Sequence, residues 1–514
     1  MQKTENKILA FLTSHKREII FLITAFFLLG LYASKRLKNS ADAYFAVIGF
    51  STIILCMIFS LFLCFYSHKK DLKLQTLWLL MALGFGIFRI FIITPHSGWD
   101  EYGHYEISYT YSDYLLFKFG EPHLMDANHA DYTNLEIQNN VKSAYLRYKD
   151  PFFEKVDEKV DKTRTSSTPS PFQYLPQALA FAIGRLLHFN FMPLYFFGRL
   201  FNLLFYVFCI WAAIQIIPYG KLVFFTCGLS AVCLQQAASL SMDCFVLGAS
   251  FLFFALLISA ISKTEIIEKK EIILLCLMAF ALSPSKLIYF PLSFIAILIP
   301  SCRFKSLKQN ILIKALVIFS GIFSIILFSA LSVKNTSDVV EGVKIIYSGE
   351  QGWTLKDILH NPGKVAGMAM WTLRYTWADW FSEALGKPLI GVPGPFPLWG
   401  RQITLLLMLA SALFYTNEDE NASILTFWQK MMLVFVLLCV VGLSLAGELY
   451  IWTPVNAKSI EGVQGRYFLP VFPLILFLFR NKIIVTNRDL TCGIFIAEIF
   501  LQFYTVFMVV NLTL

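Results

Sequence analysis

The chain of 514 residues is 57% apolar and only 15% charged, with a mean hydropathy of +0.62, whereas soluble domains carry about 25% charged residues. That balance excludes a soluble globular protein and predicts an all-α polytopic membrane protein, since a helix satisfies its own backbone polar groups inside hydrocarbon. The net charge of +9 lies in short loops beside apolar runs, a positive-inside bias that argues against nucleic acid as a partner.

The first apolar run, 18–33, follows a basic start and ends in Ser34-Lys35-Arg36, so it reads as a first span and not as a cleaved signal peptide. The second and third runs cover 42–66 and 74–94. Lys3, Lys7, Lys16 and Arg17 before the first span, and Lys69, Lys70 and Lys73 between the second and third, place both loops in the cytoplasm. Lys35, Arg36 and Lys38 vote the other way. Residues 1–73 thus form an N-terminal transmembrane hairpin, ahead of a larger module over 74–333.

Residues 95–171 are a polar insert of 77 residues with 13 of the 34 acidic side chains and 4 of the 8 histidines; it is net −5, which leaves +14 for the rest of the chain. Span counting puts it outside the cell. Its part from Asp126 to Ser167 has no transmembrane pattern and is expected to fold as interfacial helices.

Further apolar runs cover 172–188, 193–217, 222–238, 241–261, 272–299, 311–333, 401–416, 425–450, 467–480 and 489–512, a total of about 11–13 transmembrane helices. The run 172–188 either crosses or re-enters. Within 272–299, Ser283-Pro284-Ser285-Lys286 predicts two short helices meeting at a buried cavity. Arg303, Lys305, Lys308 and Lys314 mark a cytoplasmic loop, so 334–400 becomes a second extracytoplasmic segment and 401–514 carries the C-terminal transmembrane helices. In that segment the aromatic stretch from Trp371 to Phe381 suits the headgroup level, and 391–397 is too rich in Pro and Gly for a helix. Cys56, Cys64, Cys209, Cys227, Cys276 and Cys439 lie inside apolar runs without paired spacing, so neither a disulfide framework nor a zinc site is expected.

Asp100 and Glu101 follow Trp99 at the mouth of a span, with His104 on the same face if the stretch is helical. An ionised carboxylate there suits a general base toward a hydroxyl, tuned or oriented by His104. Asp100 equally suits a helix cap. Arg466, in Gly465-Arg466-Tyr467, opens another span, where its forked donors match a phosphate or snorkel to the interface. Arg199, Asp243 and Lys286 lie in or beside apolar runs, where burial costs upwards of ~2.5 kcal/mol unless they line an aqueous cavity or pair, Asp243 with one of the two bases. Gln235-Gln236-Ala-Ala-Ser239-Leu-Ser241-Met-Asp243 concentrates polar groups that lipid would not tolerate. Arg185 and His188 read as a helix end. A Gly-rich phosphate loop, His-Glu-x-x-His and Gly-x-Ser-x-Gly are all missing, which disfavours a nucleotide-driven pump.

These motifs occur in a telling order: Trp99-Asp100-Glu101-x-x-His104, Pro171-Phe-Gln-Tyr174-Leu-Pro176, Gly198-Arg199-Leu-Phe-Asn202, the run Gln235 to Asp243, Pro284-x-Lys286-x-x-Tyr289 and Gly462-Val-Gln-Gly465-Arg466-Tyr467. From about residue 75 to 480 the chain resembles a family of bacterial multi-spanning membrane proteins of formerly unknown function. That family is similar in layout to GT-C glycosyltransferases, the class of protein O-mannosyltransferases and the aminoarabinose transferase of lipid A. Trp99 and Gly103 stand where the family usually has Pro and Ala.

The resemblance implies an inverting glycosyltransferase of the bacterial plasma membrane, with its active site outside. It implies Asp100 as base, Glu101 as second candidate and His104 beside them. Lys286 and Arg466 become phosphate contacts, and Tyr467, Arg199, Gln236, Asp243 and Tyr174 further donor-site residues. The sugar would come from a polyprenyl phosphate, a co-substrate held among membrane lipids, and pass to a glycan acceptor. Its leaving group needs neither a general acid nor a metal, and no cofactor is implied. A transporter or flippase for lipid-linked sugars is the alternative, and a scaffold for surface-polymer assembly a third reading.

Overall fold

The computed structural model describes residues 16–38, 43–70, 73–93, 95, 98, 100–119, 121–126, 159–161, 170–332, 339–340, 343–344, 346, 349–389, 396–414, 425–481 and 490–513. Helices dominate it. α1 (Lys16–Lys38), α2 (Ala43–Lys70) and α3 (Leu74–Ile92) come first. α4 (Glu101–Leu115) opens the polar insert, followed by β1 (Leu124–Asp126) and β2 (Lys159–Asp161), which pair antiparallel with Met125 opposite Val160. Interfacial helices were expected from Asp126 to Ser167; the described residues of that stretch form this ribbon, and the others lie outside the described residues.

Two apolar runs, 172–188, expected either to cross or to re-enter, and 222–238, expected as a span, yield only short helices. Residues 172–188 yield a single 3₁₀ turn and then α5 (Leu175–Leu186), only 12 residues long. Residues 222–238 divide into α7 (Lys221–Gly228) and α8 (Ala231–Ala237), because the Ser230 hydroxyl caps the second piece by accepting from Cys233 N. Between them and beyond run α6 (Phe191–Ile216) and α9 (Asp243–Ser262). α10 (Lys269–Ser285) carries Pro284 in its last turn and stops there, and a 3₁₀ helix, Leu287–Leu298, takes over beyond Lys286. Pro284 removes an amide donor and crowds the preceding turn. Lys286 therefore leaves the helix in an extended conformation.

α11 (Leu307–Ser332) follows, then α12 (Leu355–His360), α13 (Pro362–Ala384), α14 (Leu398–Leu413), α15 (Phe427–Ile451), α16 (Phe472–Phe479) and α17 (Thr491–Thr513). Among the described residues, seven helices are long and apolar enough to cross a membrane: Val47–Tyr66, Leu74–Ile92, Phe191–Ile216, Asp243–Ser262, Leu307–Leu331, Phe427–Ile451 and Thr491–Val510. Shorter apolar helices lie at Ile20–Lys35, Leu287–Leu298, Leu398–Leu413 and Gly465–Phe479. The protein is an all-α polytopic membrane protein.

α9 is apolar all round and sits at the centre, with 89% of its apolar window buried inside the protein, against 22% for α11. Ile311, Leu312, Phe319 and Ile326 of α11 point outward as a lipid-facing band. α6 packs on α3, α5 and α9. Tyr105, Tyr109 and Met125 of the polar insert dock on Phe181, Phe191 and Tyr195, which fixes α4 over this core. α13 is two-faced: Met368 and Trp380 pack with Leu445, Leu449, Ile460 and Val463, while Trp371, Tyr375 and Trp377 stay exposed. Such an aromatic face suits the headgroup region. Of the Pro- and Gly-rich stretch 391–397, residues 391–395 lie outside the described residues, and Phe396 and Pro397 lead into α14 without helix.

Candidate functional site

Asp100 immediately precedes α4 with φ 56, a left-handed conformation that few side chains other than Asn and Asp tolerate. Its side chain makes no capping hydrogen bond, which sets aside the helix-cap reading. Instead Asp100 Oδ2 lies 3.5 Å from Arg466 Nη2, and the carboxylate remains 72% exposed.

Glu101, one residue on, turns the opposite way and is fully enclosed. Arg199 donates to it from Nε (3.1 Å) and Nη2 (2.8 and 2.9 Å), Leu240 N donates at 2.9 Å and Gly98 N at 3.2 Å. A Cβ on Gly98 would stand 2.6 Å from the Glu101 carboxyl carbon, so this close approach requires glycine. Burial raises the Glu101 pKa, but the charge and hydrogen bonds of Arg199 outweigh it and hold the carboxyl below its usual range. Arg199 Nη1 also donates to the carbonyls of Ile90 and Ile93. Expected as a second candidate base and a further donor-site residue, Glu101 and Arg199 are bound to each other inside the protein.

His104 is buried beneath Asp100 and its Nδ1 lies 2.8 Å from the Tyr174 hydroxyl. Burial drives its pKa down to about 4, so the ring is neutral at physiological pH. Burial also raises the Tyr174 pKa well above 10, which keeps the phenol protonated beside Nδ1.

The other ionisable groups close the cluster. Asp243, the first residue of α9, sets Oδ1 3.2 Å from Lys286 Nζ and Oδ2 3.5 Å from Arg466 Nε. Lys286 Nζ also sits 3.8 Å from the centre of the Tyr467 ring, a cation–π contact. Asp100, Arg466, Asp243 and Lys286 therefore form one continuous chain of charges, although they enter from four separate elements. Asn202 holds the preceding loop in place by donating to Gln177 Oε1 and to the carbonyls of Ser239 and Ser241. Gln236 is buried in α8, with its backbone carbonyl accepting from the Ser239 hydroxyl and its side-chain Nε2 without a hydrogen-bond partner among the described residues. Among the described residues it has no hydrogen bond to the charge chain.

Residues 83–475 match the model of a family described as a predicted membrane protein, DUF2142. The chain belongs to that family. The match begins within α3 and ends within α16, so every member of the cluster in this DUF2142 protein falls inside it. No curated protein and no solved structure matches the chain.

Several neighbours of the DUF2142 cluster were not among the expected site residues, although Tyr289 closes the motif Pro284-x-Lys286-x-x-Tyr289. Tyr289 donates to the Tyr467 carbonyl at 2.8 Å, and Glu448 hydrogen-bonds the Tyr467 side chain. Glu383 Oε2 accepts from Gly465 N at 2.7 Å, and burial raises its pKa. Further off, Arg185 pairs with Asp113 at 2.8 Å and donates to Ser112 at 2.6 Å, while His123 Nδ1 meets the other Asp113 oxygen at 2.6 Å. Arg185 ends α5, as expected, but its task is to hold the polar insert. Within the membrane-spanning part, Arg89 donates to Gln502 at 2.7 Å beside Glu498. Apart from His123 with Asp113, ten residues apart, these contacts join residues distant in sequence, and no local spacing announces them.

Proposed function

We propose that this protein is an integral-membrane glycosyltransferase of GT-C type, acting on the extracytoplasmic face of a bacterial plasma membrane. It takes a sugar from a polyprenyl-phosphate donor and passes it, with inversion, to a cell-surface polysaccharide or a lipid-linked glycan. The observation that carries this reading is the exposed Asp100 carboxylate 3.5 Å from Arg466, which Asp243 links to Lys286. A solvent-facing base thus stands next to two cations suited to phosphate.

In the transfer step Asp100 accepts the proton of the acceptor hydroxyl as its oxygen attacks the anomeric carbon. The bond from that carbon to the phosphate oxygen breaks, its electron pair leaves with the lipid phosphate, and Arg466 and Lys286 stabilise the departing charge. Neutral His104 and the Glu101–Arg199 pair position the start of α4. Tyr467 holds Lys286 through its ring.

The test is Asp100→Asn in full-length protein reconstituted into proteoliposomes with a labelled polyprenyl-phosphate sugar. Donor binding persists and transfer drops by at least about a hundredfold. Transfer at the wild-type rate refutes the assignment, and continued movement of the lipid-linked sugar between leaflets would favour a transporter. Comparing the masses of surface glycans from a deletion strain and its parent names the sugar.

A further inference from the structure

Asp100, Asp243, Lys286 and Arg466 together carry two positive and two negative charges, so the cluster is balanced before any ligand arrives. Asp243 is the member with no task in the transfer step. Its side chain is only 10% exposed, and each of its oxygens faces a different cation. A lipid phosphate has to reach those same two cations.

We infer that Asp243 is a resident counter-anion: it occupies Lys286 and Arg466 until the donor phosphate displaces it, and it reclaims them as the spent lipid phosphate departs. This rests on the transferase reading. The donor is a phosphodiester with one negative charge, whereas the released lipid is a phosphomonoester with about −2 near neutral pH. In an enclosed site a carboxylate repels the second more strongly than the first. Two bare cations would retain the product. Asp243 therefore loosens binding of both lipids, loosens the product most, and sets the rate at which the site empties. Its place at the start of α9 fits this exchange, because the positive end of a helix accommodates either anion.

A purely architectural Asp243 predicts the opposite sign. If its role were to align the two cations, removing its charge would weaken phosphate binding. The experiment titrates undecaprenyl phosphate into detergent-solubilised full-length wild type, Asp243→Asn and Asp243→Ser, with thermal melts to show that each variant is folded. Asparagine retains the size and an acceptor for Lys286, and serine guards against a misplaced amide. Binding at least about tenfold tighter in both variants is expected, with transfer more strongly inhibited by added undecaprenyl phosphate. Binding that is unchanged or weaker in the folded variants overturns this inference alone. Wild-type protein that binds no undecaprenyl phosphate overturns the transferase reading and this inference together.

Discussion

Arg199 grips Glu101 through both Nε and Nη2, with neither side chain exposed to solvent, and so pins the start of α4 to α6. Removing one partner leaves the other charged and enclosed, which costs about 3–5 kcal/mol. Glu101→Gln preserves the shape but not the charge, and Arg199→Lys cannot replace the fork that also reaches Ile90 and Ile93. Both variants should melt well below wild type in detergent. A Glu101→Gln protein with an unchanged Tm would show that the pair does not hold the fold.

His104 makes stability depend on acid. In the folded protein its pKa lies at about 4, against 6.5 for a free imidazole. Between those values the unfolded chain binds a proton that the folded protein refuses, so stability falls as pH drops through that window, by about 3 kcal/mol at its acid end. His104→Gln should flatten this part of a Tm-against-pH curve. An identical slope in the variant would contradict the burial of a neutral ring.

Gly465 leaves no room for a side chain. A Cβ there would lie 2.0 Å from the Trp380 carbonyl oxygen and 2.6 Å from Glu383 Cβ, so α13 presses on the backbone directly before Arg466. Gly465→Ala must push these elements apart, at a cost of about 1–3 kcal/mol or more. Thermal melts should report that loss, and Arg466 should move away from Asp100. A variant with wild-type Tm and wild-type lipid binding would remove α13 from the account of the site.

What could be read from the chain in advance depends on how local the cause is. The break at Lys286 was legible because Pro284 acts on its own turn. Asp100 and Glu101 were indistinguishable as letters. Asp100 stands one residue before α4 with a left-handed backbone, and that rotation of the chain leaves its carboxylate exposed beside Arg466 while Glu101, inside the helix, reaches Arg199. Neither the order of the motifs nor their spacing contains that rotation. The run 222–238 reads as one span although the chain forms α7 and α8 there, because apolar content alone does not reveal a Ser230 cap.

The least legible contact is the latch of the polar insert, and it yields a separate prediction. Arg185 stacks on the Tyr109 ring at 4.0 Å, bonds Ser112 and pairs with Asp113, while His123 closes the other side of that carboxylate. Burial raises the Asp113 pKa, yet the bonds from His123 and Arg185 prevail and keep it below the usual carboxylate range, so the latch is ionic at neutral pH. Three pieces of chain therefore depend on one guanidinium: α5, the end of α4 and the segment entering β1. Arg185→Ala removes charge and stacking together, whereas Arg185→Lys keeps the charge but loses the fork and most of the ring contact. Hydrogen exchange at residues 105–125 should accelerate in both variants, more in the alanine, while α15 exchanges as in wild type. Equal protection across all three proteins would mean that Tyr105, Tyr109 and Met125, packed on Phe181, Phe191 and Tyr195, hold the insert without the latch.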